Sequence, residues 1–390
     1  MDDVVLFKKT KMTTKTNILK NAAQWMIIVL CSILVFASCR NASPKAPASN
    51  NAPNIHVTEP SLSESRSFFN PNISMTVPTS MAGSFTIAGT GTVVIDWGDG
   101  TVEKETLKAH YDNYVKYGNS QKFSHSYSES SDHTVKIIGN NIMLLTIAAL
   151  TMMSNGQMTN NLTSLDVSSN IELIELNCHD NQLTKLDLYN NTKLRLLGCT
   201  DNQLTELDLR ANTAIKYLWC SGNQLTELDL SANILLISLG CSNNQLTKLD
   251  LRNNTAIILI LCSNNQLTEL DIKANTALTD LWCENNLLMG LDLKENKMIT
   301  VLGCSNNQLT KLDLSANKAL RLLDYRSNNL STDALNALFE TLHNNTFEYE
   351  KTVYIANNPG TEDCNKSIAE EKGWTVNIDV DIDVDIDIEY

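Results

Sequence analysis

Residues 215–233, IKYLWCSGNQLTELDLSAN, are one unit of a repeat that decides the architecture of this chain. From Cys220 in this unit, cysteines recur at Cys178, Cys199, Cys241, Cys262, Cys283 and Cys304, each 21 residues from the next, and Tyr325 takes the following step. Aspartates keep the same period at Asp166, Asp187, Asp208, Asp229, Asp250, Asp271, Asp292 and Asp313. Two asparagine series do so too, one from Asn160 through Asn181 to Asn328, the other from Asn170 through Asn191 to Asn317. Four registers sharing one period describe a single structural unit stacked many times. Such a short unit cannot bury its own leucines and needs a neighbour above and below.

The unit reads L-x-x-L-x-C-x-x-N-Q-L-T-x-L-D-L-x-x-N. Strand side chains alternate, so in L-x-C and in L-D-L the flanking residues point inward and the middle one outward. Each Asn ends such a phrase, where its amide can satisfy backbone groups as the chain turns, and stacking Asn on Asn continues those bonds along the coil. At about 4.8 Å per rung, about eight turns predict a rod of roughly 40 Å. The unit resembles bacterial leucine-rich repeats, in particular the cysteine-bearing repeats of the internalin J type, over about Leu162 to Leu330. That resemblance implies a curved solenoid, extracellular placement and ligand binding by the sheet face.

Seven ladder cysteines cannot all pair among themselves, and parallel strand geometry is poor for disulfides between rungs. They are read as buried thiols acting as small apolar fillers; a metal–thiolate ladder is the alternative, with no other residue supporting it. The aspartate row is flanked two residues on by Arg210, Arg252, Lys273 and Lys294, with Tyr189, Ser231 and Ser315 between. Two residues before it stand Lys185, Glu206, Glu227, Lys248, Glu269 and Lys311. A lattice of salt bridges and hydrogen bonds is expected there, with cation binding as the alternative. No metal site and no cofactor is assigned.

Function has to be sought where the repeat varies. Before each cysteine come Asn177, Gly198, Trp219, Gly240, Leu261, Trp282, Gly303 and Asp324; two residues earlier come Glu175, Leu196, Tyr217, Ser238, Leu259, Asp280, Val301 and Leu322. Tyr217, Trp219, Leu259, Leu261 and Trp282 are expected to form an outward apolar patch around the middle turns. Such a patch suits a sugar ring or a protein hot spot. The alternative is that these side chains cover one another.

Ahead of the repeat, residues 65–140 show short alternating strands at Ile73–Val77, Ser84–Ile87, Thr92–Asp96 and Thr134–Ile138. Asp96-Trp97-Gly98-Asp99-Gly100-Thr101 follows one of them, and His125-Ser126-Tyr127 precedes another. These W-G-D-G and H-x-Y phrases resemble a PKD-like β-sandwich, which implies a spacer or carbohydrate-associated module. The order of parts also looks like that of repeat lipoproteins from Gram-negative anaerobes. Asp96 and Asp99 read as turn stabilisers, with cation binding as the alternative. Tyr111, Tyr114 and Tyr117 read either as an aromatic surface or as partly buried strand residues.

The first 39 residues read as an address. Met26 to Phe36 is one apolar run, short for a membrane span and preceded by Lys15 and Lys20. It ends Phe36-Ala37-Ser38-Cys39, which resembles a bacterial lipobox with Cys39 as the lipidated residue, although Phe36 stands where Leu is commoner. Met1 or Met12 is the start. Residues 40–64 are rich in Asn, Ala, Pro and Ser and are read as a flexible tether. The repeat solenoid is assigned to 141–330. Residues 331–378 form an α/β cap, with a helix opened by Ser331-Thr332-Asp333, and 379–390 an acidic tail. The fold class expected is a mainly parallel-β leucine-rich-repeat solenoid between a small β-sandwich and that cap.

A net charge of −14 argues against nucleic acid and against anionic membrane surfaces, so membrane contact is assigned to the lipid anchor alone. No H-E-x-x-H, G-x-S-x-G or phosphate loop occurs, and no Cys–His constellation stands outside the ladder. The chain is therefore read as a monomeric binding protein and not an enzyme. It sits on the outer membrane, facing outward or, given the basic stretch after Cys39, the periplasm. Its ligand is a protein or glycan, such as a host mucin or glycoprotein. A ligand-free structural envelope protein is the alternative, and a carbohydrate-active enzyme a further one.

Overall fold

The computed structural model describes residues 71–78, 83–108, 120–128, 131–147, 162–346 and 350–379, all within one compact unit. Cys39, Asn160, Tyr111, Tyr114, Tyr117, the address and tether segments, and the tail from residue 380 lie outside the described residues.

The chain is a leucine-rich-repeat solenoid. Its rungs are three-residue strands: β7 (Glu175–Asn177), β8 (Leu196–Gly198), β9 (Tyr217–Trp219), β10 (Ser238–Gly240), β11 (Leu259–Leu261), β12 (Asp280–Trp282), β13 (Val301–Gly303) and β14 (Leu322–Asp324). Each pairs in parallel with the next, a full 21-residue step along the chain, as in Leu218↔Leu239↔Ile260. The expectation of two strand phrases per turn is corrected here. Only the phrase leading into Cys forms a ladder. Along the rest of the solenoid L-D-L remains irregular, and only at its start does Ser164–Asp166 (β6) form a strand, paired with β1 (Ile73–Val77). Its Asp folds back on the chain and removes a backbone donor from ladder pairing, as the aspartate geometry below shows.

The repeat works by satisfying its own turns. In the unit ending at Asn244, the side-chain Nδ2 donates to the carbonyls of Cys220, Cys241 and Ser242 at 3.0, 3.1 and 3.3 Å, and Oδ1 accepts from Leu225 N at 3.0 Å. Cys220 and Leu225 belong to the preceding turn, so each amide bolts two turns together inside the core, where an unmet donor is costly. The residue before each of these asparagines is left-handed: Asp180, Asp201, Gly222, Asn243, Asn264, Asn285, Asn306 and Ser327, with φ between 51° and 65°. Asp, Asn and Gly tolerate that conformation, which is why they cluster there. The second series, Asn191 to Asn317, donates to carbonyls 24 and 21 residues back, as Asn254 does to Leu230 and Asn233. The inward leucines, Leu291 excepted, and all seven ladder cysteines are buried between these two belts.

The stack extends past the repeat at both ends. At the front, β2 (Gly83–Asp96) pairs with β3 (Val102–Lys108), β4 (Gln121–His125) and β5 (His133–Thr146). The expected strands Ser84–Ile87 and Thr92–Asp96 are thus one strand with two register shifts, at Ala88/Gly89 and Thr90/Val93. The boundary placed at residue 140 falls inside β5. The end of β5 is itself a rung, with Leu144, Leu145 and Thr146 in parallel register with Glu175, Leu176 and Asn177.

At the far end Ser331 caps helix α1 (Thr332–Thr341), its Oγ accepting from Ala334 N, and Leu335, Leu338 and Phe339 are buried in the continuous core. Then β15 (Lys351–Tyr354) joins β14 in parallel, and β16 (Trp374–Asn377) joins β15 after the short helix α2 (Ser367–Glu370). The cap is built as further turns. Asn358 donates to Tyr325 O and Ile355 O, accepts from Leu330 N, and follows left-handed Asn357.

Candidate functional site

The candidate surface is the outward face of β7–β14. The five residues singled out from the sequence do stand on it, at outward positions of β9, β11 and β12, with Ser238 and Gly240 of β10 between the first two rungs. They are not an open patch, however. Trp219 is 3% and Leu259 1% exposed, while Tyr217, Leu261 and Trp282 are half-buried. The correction has a packing cause. Large outward side chains lean onto glycines of the following rung. A β-carbon at Gly240 would lie 2.5 Å from Trp219 Cε3, one at Gly198 would lie 2.8 Å from Asn177 Oδ1, and one at Gly303 would overlap Trp282. The glycine one period after Trp219 is the sequence signal for its burial, whereas Leu259, the other covered residue, lies in register between Ser238 and Asp280.

Charge on the face collects at β12–β14. Asp280 is buried beneath hydrogen bonds from the Thr279 and Thr300 hydroxyls at 2.5 and 3.5 Å. Asp324 is buried as well and is gripped by the Nε and Nη2 atoms of Arg326 at 2.8 and 2.7 Å, and Arg326 stacks 5.4 Å from the Tyr354 ring centre. Glu284 accepts from Ser263, and burial pushes its carboxyl up to about 7. Burial does the same to Glu175 on the first rung. Neither the acids nor the Arg–Tyr stack stood out in the sequence, because each departs from the consensus only once.

The aspartate row is a turn device. In each described turn Asp Oδ1 accepts from the backbone N two residues on, for example Tyr189, Ser231 and Ser315 at 3.0, 2.9 and 2.9 Å. Arg210 and Arg252 close bidentate pairs on Asp208 and Asp250 within their own turns, and these hold both carboxyls down to about 2. The expected lattice is therefore mostly local; Lys273 to Asp292, at 3.6 Å, runs between turns.

In the front unit the W-G-D-G phrase is likewise structural. Asp96 and Asp99 accept from Gly98 N and Thr101 N at 3.1 and 2.9 Å. His125 bonds Asp99 at 2.7 Å, which holds that carboxyl well below the usual range, and Tyr127 donates to Trp97 O at 2.9 Å. Trp97, 1% exposed, stacks on His125, so the two phrases form one knot around it.

The seven ladder thiols are buried, which pushes Cys178 and Cys220 up to about 12 and the others well above their ordinary value. Neutral thiols with that environment are packing groups and poor nucleophiles. Exposed apolar side chains lie elsewhere: Tyr189, Ile234, Leu235, Leu287, Met289 and Met298 are 44–71% exposed. Leu287 and Met289 take the places of the consensus Gln and Thr.

Comparison with protein-family models and with curated proteins finds no match. Among solved structures, the chain is similar to the functional domain of InlJ from Listeria monocytogenes, described as including a cysteine ladder. Identity is 35%, covering 56% of this chain and 47% of that one, with a TM-score of 0.49. A leucine-rich-repeat protein of Leptospira interrogans is similar at 20% identity over 54% of this chain and 56% of its own, with a TM-score of 0.46. YopM, a leucine-rich effector protein from Yersinia pestis, is similar at 26% identity over 48% and 51%, with a TM-score of 0.38. The chain thus spans about half the length of each of these proteins. What it has in common with them is the stacked leucine-rich turn and, with the InlJ domain, a cysteine ladder.

Proposed function

We propose that this chain is a lipid-anchored binding protein of the cell envelope, which offers the outward face of its leucine-rich sheet to a protein or glycan ligand. The observation that carries the reading is the division of labour within the repeat. Inward positions keep Leu or Ile and Cys at nearly every turn and, Leu291 excepted, are buried, as stacking requires. Outward positions change at each rung, as in Tyr217, Ser238, Leu259 and Asp280, and stacking does not demand that variety. The apolar run at Met26–Phe36, its Phe-Ala-Ser-Cys end and the polar tether support the anchor at Cys39. The missing catalytic motifs support binding over catalysis.

A glycan, mucin and glycoprotein array probed with the full chain in detergent tests this reading. Binding is expected, and the double variant Tyr217→Ala/Trp282→Ala is expected to weaken it with little change in melting temperature, since both side chains are half-exposed. Equal binding by that variant excludes the sheet face. An array with no bound spot favours a purely structural envelope protein.

A further inference from the structure

We propose that the sheet face over β12–β14 holds a docking site for a basic side chain of a protein ligand, its ammonium or guanidinium group seated between the Trp282 indole and the Glu284 carboxylate. This rests on the reading that the sheet face binds a ligand, and it names the chemistry of that ligand.

Asp280, Trp282 and Glu284 stand at alternate outward positions of one rung. Gly303, on the next rung, brings two of them together: a β-carbon there would overlap both the Trp282 ring and Glu284 Oε1. Indole and carboxylate therefore converge over one patch of bare backbone, and both remain half-exposed. Asp280 on the same rung and Asp324 two rungs on, whose charge reaches Glu284, are both buried. Along the outward positions of β7–β14 and the residues that follow each cysteine there are four carboxylates (Glu175, Asp280, Glu284 and Asp324) and one guanidinium, that of Arg326. Three of those carboxylates belong to β12–β14, and Arg326 is already gripped by Asp324.

Charge complementarity selects a cation as the occupant. An aromatic face beside a desolvated carboxylate attracts an ammonium or guanidinium more strongly than either group does in water. The raised pKa of Glu284 agrees, since burial without enough nearby positive charge is what produces it. An anionic ligand would meet Asp280 and Glu284 beside the already paired Asp324, and a neutral sugar would leave the charge of those two uncompensated.

The test uses the full chain in detergent and fluorescein-labelled hexalysine, with hexaglutamate as control, read by anisotropy. Hexalysine should bind and hexaglutamate should not. Glu284→Gln keeps the size of the side chain and a bond to Ser263, and it should weaken binding about 5-fold; Trp282→Ala should do the same, and Trp282→Phe less. Asp250→Asn, in the exposed aspartate row, should leave binding unchanged. Binding should strengthen between about pH 6 and about pH 8 in the parent chain and stay flat in Glu284→Gln. The groups facing Glu284 in that titration are Asp280 on its own rung, Asp324 and Arg326 on β14, and the buried thiols of Cys262, Cys283 and Cys304. No binding of hexalysine, unchanged binding by Glu284→Gln, or equal weakening by Asp250→Asn overturns the proposal. Those results would leave the sheet-face reading to its own array test, which uses Tyr217 as well as Trp282.

Discussion

Trp219 and Gly240 are register partners on adjacent rungs, and a β-carbon at Gly240 would come within 2.5 Å of the Trp219 Cε3 atom. The glycine is there for the indole, since its backbone is not left-handed. Gly240→Ala is therefore expected to push the indole off the sheet, at an overpacking cost of about 2 kcal/mol. Urea denaturation and tryptophan emission check this: the midpoint should fall and the emission move to the red. An unchanged spectrum and midpoint would show that the indole does not need the glycine.

The asparagine belts predict a large cost for a small deletion. Asn244→Ala leaves Leu225 N unmet in the core and takes one of two amide donors from each of the Cys220 and Cys241 carbonyls, which keep those of Asn223 and Asn265. Leaving that donor buried and unmet costs about 2 kcal/mol. Exposed Asn253→Ala, whose Nδ2 meets only Ser231 O at 3.2 Å, should cost far less. Equal effects in thermal melts of the two variants would contradict the belt.

The thiol ladder makes the fold sensitive to alkali. Burial raises each folded thiol, so its contribution is fully present below the ordinary thiol value of about 9 and is lost as pH rises toward the folded value, about 12 for Cys178 and Cys220. Above the unfolded pKa each buried thiol withdraws about 1.4 kcal/mol per pH unit from stability. Urea midpoints should therefore fall steeply above about pH 9, and Cys241→Ala should make the fall shallower. A midpoint that stays level through that window would mean the thiols are not buried as neutral groups. Residue-resolved alkylation offers a second check, with half-buried Cys364 reacting well before the ladder.

The anchor is testable independently of the fold. Metabolic labelling with palmitate should tag the chain, and Cys39→Ala should abolish the tag; a tag that survives the substitution would rule Cys39 out. Protease shaving of intact cells then separates outward from periplasmic display.

Periodicity carried the reading a long way. The core columns, the thiol fillers and the asparagine bolts at Asn181 to Asn328 follow from spacing alone, because a stacked repeat must place like residues in like surroundings. The same logic, pursued further, finds the bolt at Asn358. It is hidden from a fixed-period search because α1 lengthens that turn, yet Ile355-Ala-Asn-Asn358 keeps the local phrase. The front boundary was not legible. Strand β5 serves the β unit with one half and the solenoid with the other, and alternation within a strand does not say which partner it has.

Sequence by itself determined the solenoid, its inward and outward positions and the candidate face, since those depend only on the strand period and the repeat length. Only the tertiary structure decided how much of that face is open. Exposure depends on which way each side chain leans across a rung, and on whether the neighbour in register is a glycine. Trp219, with Gly240 in register, is therefore covered, Leu259 is covered between Ser238 and Asp280, Tyr217, Leu261 and Trp282 remain half-open, and the charge of Asp324, two rungs on, reaches Glu284.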